Sequence, residues 1–290
     1  MSRFAFVAAE RANHAVAILC RVVGASVSGF YAWLRAIPTV RTRAEAEDGL
    51  RGHIGRIFAA RRRAYGSPRV HAELRREGRH HSRRRVAWLM RKMGLQAQRG
   101  RRRPPRTTDS RHDLPVAPNL LGRRFAADRP DTVWLADISY LPSDEGWLYL
   151  AAIEDLATRE IVGWSMADHL RAELCIDALV MALQHRQPDP GLIHHSDRGG
   201  QYASRRYREL LRRSGINQSM NAAATCYDNA FMESCYGTVK TELEMVEYAN
   251  GPEAVRELSA YVRYYNTSRR HSALGYVSPA EFENQPTLQK

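Results

Sequence analysis

The sequence predicts a mixed α/β core preceded by a basic, all-α arm, and three observations carry this. Charge divides the chain: residues 1–115 hold 26 Lys+Arg against 8 Asp+Glu, whereas residues 116–290 hold 18 against 23. Apolar spacing changes with it, from a helical period in the first part to β-type alternation after about residue 119. Between the two lies RGRRRPPRTTDSRHDLPVAP, residues 99–118, with four prolines and almost no large apolar side chain.

The arm comes first. Ala15, Ile18, Leu19 and Val22 are spaced for one helix, which Gly24 ends. Ser26 or Ser28 then caps a second helix carrying Phe30, Tyr31, Trp33 and Leu34. Two short helices and a turn over 14–35 have the length of a helix-turn-helix, although a simple packing hairpin has the same pattern. A helix over 44–61 follows, with Leu50, Ile54, Ile57 and Phe58 on its apolar face. Ser67-Pro68 opens another, carrying Val70, Glu73 and Leu74 and ending at Gly78. Ser82 opens the last, with Val86, Leu89, Met90 and Met93 inward and Gly94 as its stop. Residues 51–112 hold 20 basic and 3 acidic residues. A solvated face would intersperse both signs, so this asymmetry points to phosphate contacts. The candidates are Arg69, Arg83, Arg84 and Arg85 on the helices and Arg101, Arg102 and Arg103 in the extended linker.

In the second part, VWLADISYL (133–141), WLYLAAIED (147–155) and IVGWSM (161–166) read as three antiparallel strands. Trp134, Ala136, Ile138 and Tyr140 share one face of the first, and Asp137 lies on the other. A helix over 172–185 leads to a strand at 192–195, then a helix over 204–214. A helix from about 229 to 248 carries Met232, Cys235, Tyr236, Val239, Leu243 and Val246 on one stripe, with Asp228 as its N-cap. A last helix spans 252–266. The domain division is therefore 1–40, a helix-turn-helix-like segment; 41–98, a basic helical domain; 99–118, the linker; and 119–285, the α/β core with its C-terminal extension.

Composition also sets limits. The net charge of +13 makes a polyanion the expected partner. The four cysteines, Cys20, Cys175, Cys226 and Cys235, include no CxxC pair, so neither a disulfide framework nor a zinc site follows. Apolar runs are short, so no membrane span is expected.

Three acids carry the chemistry. Asp137 sits mid-strand among apolar neighbours, where an unpaired carboxylate costs several kcal/mol. Asp197 lies just past a strand end, where α/β sheets place their sites, although a turn role before Gly199 is common. Glu233 lies on the following helix, with 35 residues between it and Asp197. Hard oxygen ligands from two strands and a helix suit a divalent ion, and two such ions activate an attacking oxygen and stabilise a leaving one. Lys240, two turns after Glu233, lies on the same flank. It holds a phosphate or pairs with Glu244. His194 and His195 fit structural roles best, and Arg269, Arg270 and His271 form a small basic patch expected on phosphate.

WLADISYL, GWLYLAAIEDLATREIVGWSM, HHSDRGGQYAS, YDNAFMESCYGTVKTEL and YNTSRRHSALGYVSPAEF together resemble an insertion-sequence transposase of the OrfB type, with a retroviral-integrase-like core. The resemblance extends into the arm through YGSPRVHAELRREG and RVAWLMRKMGL, so it covers nearly the whole chain. It implies an RNase H-like fold and a D,D,E triad of Asp137, Asp197 and Glu233. It also implies Mg²⁺ or Mn²⁺, expected as two ions per site, and cleavage and strand transfer at transposon ends. The implied partners are end and target DNA, further copies of the chain on DNA, and a helix-turn-helix protein from an upstream frame. The implied location is the bacterial cytoplasm, at the nucleoid. One departure is Asn221-Ala222-Ala223-Ala224-Thr225, where the family has a Ser-Arg-Lys-Gly-like stretch. Two other readings are a nuclease that cuts without joining and a DNA-binding regulator with an inert core. The intact triad opposes the second.

Overall fold

A computed structural model of the chain describes residues 2–98, 112–122, 126–221, 230–243 and 248–285. The arm begins with a helix that the apolar spacing did not reveal, α1 (Arg3–Glu10), capped by Ser2. α2 (Val16–Val22) follows, and Gly24 makes the turn at φ 63°, a left-handed conformation that suits glycine. The Ser26 side chain accepts from the Gly29 amide and starts α3 (Val27–Ala60).

The sequence suggests two helices here, ending near 35 and resuming at 44, but α3 is one 34-residue helix. Pro38 lacks an amide donor, and its ring crowds the carbonyl one turn before it. Anchors at both ends keep the helix continuous: Phe30 packs with Val7, Leu19 and Cys20, and Leu50, Ile54, Ile57 and Phe58 pack with the next helices. Those are α4 (Ser67–Arg76) and α5 (Arg83–Lys92), closed around Tyr65, Val70, Leu74, Val86, Leu89 and Met90.

The core is built on a five-stranded sheet: β1 (Val133–Ser143), β2 (Gly146–Asp155), β3 (Ile161–Ala167), β4 (Ile193–Ser196) and β5 (Asn217–Met220). Their spatial order is β3-β2-β1-β4-β5. The first three are antiparallel, and β4 and β5 run parallel to β1. This is the mixed, helix-flanked sheet expected of an RNase H-like core. Alternation along β1 sorts side chains onto two faces. Trp134, Ala136 and Ile138 pack with α6 (Ala172–Arg186), α7 (Gly200–Ala203) and α8 (Arg205–Arg213). Val133, Leu135 and Leu141 pack on the opposite side with α9 (Ala230–Glu242) and α10 (Gly251–Thr267). α6 lies so close to β3 that a Cβ on Gly163 would stand 2.7 Å from that of Ala182. A short α11 (Pro279–Glu283) closes the chain with a Ser278 capping box. No single helix among the described residues is long and apolar enough to cross a membrane.

Candidate active site

Asp137 lies on β1 opposite Ala152 of β2. By alternation it shares the face of Val133, Leu135 and Leu141, the face that α9 covers. On its other edge β1 pairs with β4 in parallel: Val133 with Ile193, Trp134 with His194, Leu135 with His195. That ladder ends at Leu135 and His195, and Asp137 and Asp197 each lie two residues beyond it in their own strands. Asp197 follows the last residue of β4, and its Oδ1 accepts from the Gly199 amide at 2.9 Å, so it also makes the turn into α7. Both carboxylates act on the same two buried neighbours. Burial raises the Cys175 thiol and the Tyr202 hydroxyl, and the charges of Asp137 and Asp197 push both further up.

α9 is fixed to this edge by a side chain the sequence marked only as apolar. The Tyr236 hydroxyl donates to the Asp137 carbonyl at 2.5 Å and lies 3.1 Å from the Leu150 carbonyl. Glu233 lies one turn before Tyr236 and Lys240 one turn after, so both share a flank of α9 with the residue that meets the Asp137 carbonyl. Lys240 is half-buried and its Nζ lies 5.5 Å from the Tyr140 ring centroid. Burial lowers its pKa, while the charge of Asp137 opposes that shift. Glu233 is exposed. Among the described residues no three His, Cys, Asp or Glu side chains close around one point as a metal site requires. The fold thus brings Asp137 and Asp197 to one sheet edge and Glu233 to the adjoining helix flank, without drawing the three together. Asp228, Asn229 and the Ala222–Ala224 stretch lie outside the described residues, as do Arg101, Arg102 and Arg103.

Two further contacts hold α9. Glu154 of β2 is buried beneath it, and burial raises its carboxyl to about 7, opposed by Cys235 and by Arg159 at 3.6 Å. The Arg159 guanidinium in turn lies 4.2 Å from the Phe231 ring centroid. At the helix end, Glu242 is buried against Arg269 and the Tyr261 hydroxyl. The histidines of HHSD are structural. His194 is buried against the Tyr207 hydroxyl, and burial lowers its pKa to about 3. His195 bonds Ser219 Oγ and Asn221 Oδ1. From the far end of the linker, His112 reaches the Arg198 carbonyl, one residue beyond Asp197.

Three of the residues expected on DNA make contacts within the chain. Arg269 is 3% exposed and pairs with Glu242; Arg270 is 5% exposed and pairs with Glu73 and Glu281. Arg69 is partly buried, and its Nε donates to the Arg270 carbonyl. Arg69 and Arg270 pack the arm onto the C-terminal segment, where Tyr65 also accepts from the Arg270 amide. The sequence signal for this was Glu73, an acid on the apolar face of an otherwise basic helix. Arg83, Arg84 and Arg85, by contrast, are exposed in the first turn of α5. Positive charge there opposes the helix dipole, and a bound phosphate would relieve it.

Family comparisons agree with this layout. The family described as an integrase core domain matches residues 127–226, and a second integrase core domain description matches 214–279. An HTH-like domain matches 45–103, the latter part of α3 with α4 and α5, rather than the N-terminal segment. An integrase core behind an HTH-like domain defines the class, a polynucleotidyl transferase of the D,D,E kind. The chain is 42% identical over 269 residues to a 31 kDa protein of insertion element IS600 from Shigella sonnei, covering 92% of this chain and 98% of that one. It is 38% identical over 285 residues to the transposase InsF of insertion sequence IS3A from Escherichia coli K12, covering 98% and 99%. The chain belongs to the IS3 family of transposases. Among solved structures, a simian T-cell lymphotropic virus intasome bound to the PP2A subunit B56γ matches at TM-score 0.47 and 12% identity, covering 74% of this chain and 71% of that one. The HTLV-2 integrase catalytic core with magnesium matches at 0.43 and 12%, covering 54% and 98%. These likenesses are too distant to bear on function.

Proposed function

We propose that this transposase cleaves and transfers DNA strands at the ends of an insertion sequence through Asp137, Asp197 and Glu233. The observations that support the assignment are that Asp137 and Asp197 lie two residues beyond the same end of the β1–β4 ladder and both act on Cys175 and Tyr202, with Tyr236 tying the Glu233 helix to the Asp137 carbonyl. The donor set fits Mg²⁺ or Mn²⁺: three hard carboxylate oxygens and no thiolate or free imidazole. Two bound ions would activate the attacking oxygen and stabilise the leaving one. Lys240 holds a phosphate beside Asp137, and the buried base of α9 fixes the angle from which Glu233 approaches. Arg83, Arg84 and Arg85, with Arg101, Arg102 and Arg103 of the linker, grip the flanking duplex. The division into 1–40, 41–98, 99–118 and 119–285 serves this scheme, with α3 shared by the first two parts. The partners are end and target DNA, further copies of the chain and an upstream-frame helix-turn-helix protein, and the setting is the bacterial cytoplasm at the nucleoid.

The test is purified protein with labelled end DNA and Mg²⁺. Joined product is expected from the parent chain, and neither cut nor joined product from Asp137→Ala, Asp197→Ala or Glu233→Ala, with DNA still bound. Cutting without joining by the parent chain would make it a nuclease. Near-normal transfer by any variant would remove that residue from the reaction.

A further inference from the structure

Beyond Asp137, the β1–β2 hairpin carries a surface that strand transfer by the triad leaves unused. β4 pairs with β1 only over Val133–Leu135, so β1 runs on past β4, while β2 keeps β3 beside it as far as Tyr149. On it Tyr140 and Tyr149 stand directly opposite each other, with ring centroids 6.2 Å apart and nearly perpendicular. Trp147 shares their face and meets Tyr140 edge-on at 5.6 Å. Edge contacts leave much of its indole open: Trp147 is 59% exposed, more than any other large aromatic side chain among the described residues. Lys240 completes the surface, with its ammonium 5.5 Å from the Tyr140 ring centroid and within reach of the Asp137 charge. Tyr140, Tyr149 and Trp147 share the sheet face opposite Asp137, and Lys240 links the two by lying near both the Asp137 charge and the Tyr140 ring.

Paired bases hide their faces inside the duplex, and only an unpaired base can lie on a ring. A cation beside stacked rings matches a nucleotide, phosphate on the amine and base on the indole. We propose that Trp147, Tyr140 and Tyr149, with Lys240, form a stacking platform for an unpaired nucleotide at the reacting DNA end. Ring faces read no base edge, so the platform accepts any base. Its placement beside the reaction rests on the active-site reading above; its affinity for unpaired bases does not.

The test uses the full chain, a chelator in place of metal, and two probes: a short oligothymidylate and a fully paired duplex of equal length. Stacking of one base corresponds to roughly 5- to 150-fold in affinity. Trp147→Leu should weaken oligothymidylate binding within that range and leave duplex binding unchanged, while Trp147→Phe, which keeps a ring, should lose far less. Equal losses on both probes, no loss, or equal behaviour of the Leu and Phe variants would overturn the proposal. Photocrosslinking of an oligothymidylate carrying 5-iodouracil gives an independent reading. A crosslink in residues 140–149 supports the platform, and crosslinks confined to the arm overturn it. The metal-free format separates this result from the triad, whose failure would appear as continued cleavage by Asp137→Ala.

Discussion

Arg269→Ala gives the sharpest test of how α9 is held. The Arg269 Nε lies 2.9 and 3.0 Å from the two Glu242 carboxylate oxygens, and a terminal nitrogen lies 2.8 Å from one of them. Both residues are 3% exposed. Burial works against the guanidinium charge, but Glu242, Tyr261 and Tyr265 outweigh it and hold its pKa up. Removing the guanidinium leaves Glu242 in the core with the Tyr261 hydroxyl at 3.1 Å. Stranding a buried charge in this way costs about 3–5 kcal/mol, a large fraction of the roughly 5–15 kcal/mol that keeps a domain folded. Urea unfolding followed by circular dichroism measures it. Arg269→Ala should lose about 3–5 kcal/mol, and the double variant Arg269→Met/Glu242→Leu should recover most of that, because an apolar pair of similar volume avoids the desolvation penalty. A loss below about 1 kcal/mol, the scale of an exposed ion pair, would refute the reasoning. So would a fall in the salt dependence of DNA binding by the folded variant, which would return Arg269 to the phosphate role.

Other predictions follow from the same contacts. Glu154 keeps its proton in the fold up to about pH 7 but loses it near 4.5 when unfolded, so its contribution makes stability fall as pH rises through that window. Glu154→Gln should flatten this slope by up to about 3 kcal/mol across the window, and unfolding curves with the parent slope would contradict it. Tyr236→Phe removes the hydroxyl between two buried carbonyls and should cost about 1–2 kcal/mol, lowering strand transfer while leaving end binding intact; unchanged transfer would show that the tether does not position Glu233. Replacing Arg83, Arg84 and Arg85 by Ala should lower the slope of log affinity against log salt by about one per lost phosphate contact. An unaltered slope would make that face merely solvated.

Most of the core was legible because its cues are local. Alternation in WLADISYL placed Asp137 opposite Trp134 and Ala136, and the stripe from Met232 to Val239 is the face that α9 buries. What escaped depends on partners far away in sequence. Arg270 reads as a phosphate contact until Glu73, 197 residues earlier, is brought beside it. Tyr236 reads as apolar bulk until its hydroxyl meets the Asp137 carbonyl, 99 residues away. The continuity of α3 through Pro38 escaped for a related reason, since proline looks like a stop until packing on both sides outweighs its missing donor. α7 and α11 are 4 and 5 residues long, too short for any period to show.

Whether the three carboxylates close on shared ions is best measured by iron-directed backbone cleavage. Fe²⁺ in place of Mg²⁺, with ascorbate and peroxide, generates radicals that cut the chain beside the bound ion. With end DNA present, the account predicts cuts near 137, 197 and 233 together, all suppressed by excess Mg²⁺. Cuts near 137 and 197 with none near 233, or cuts that Mg²⁺ does not suppress, would contradict it.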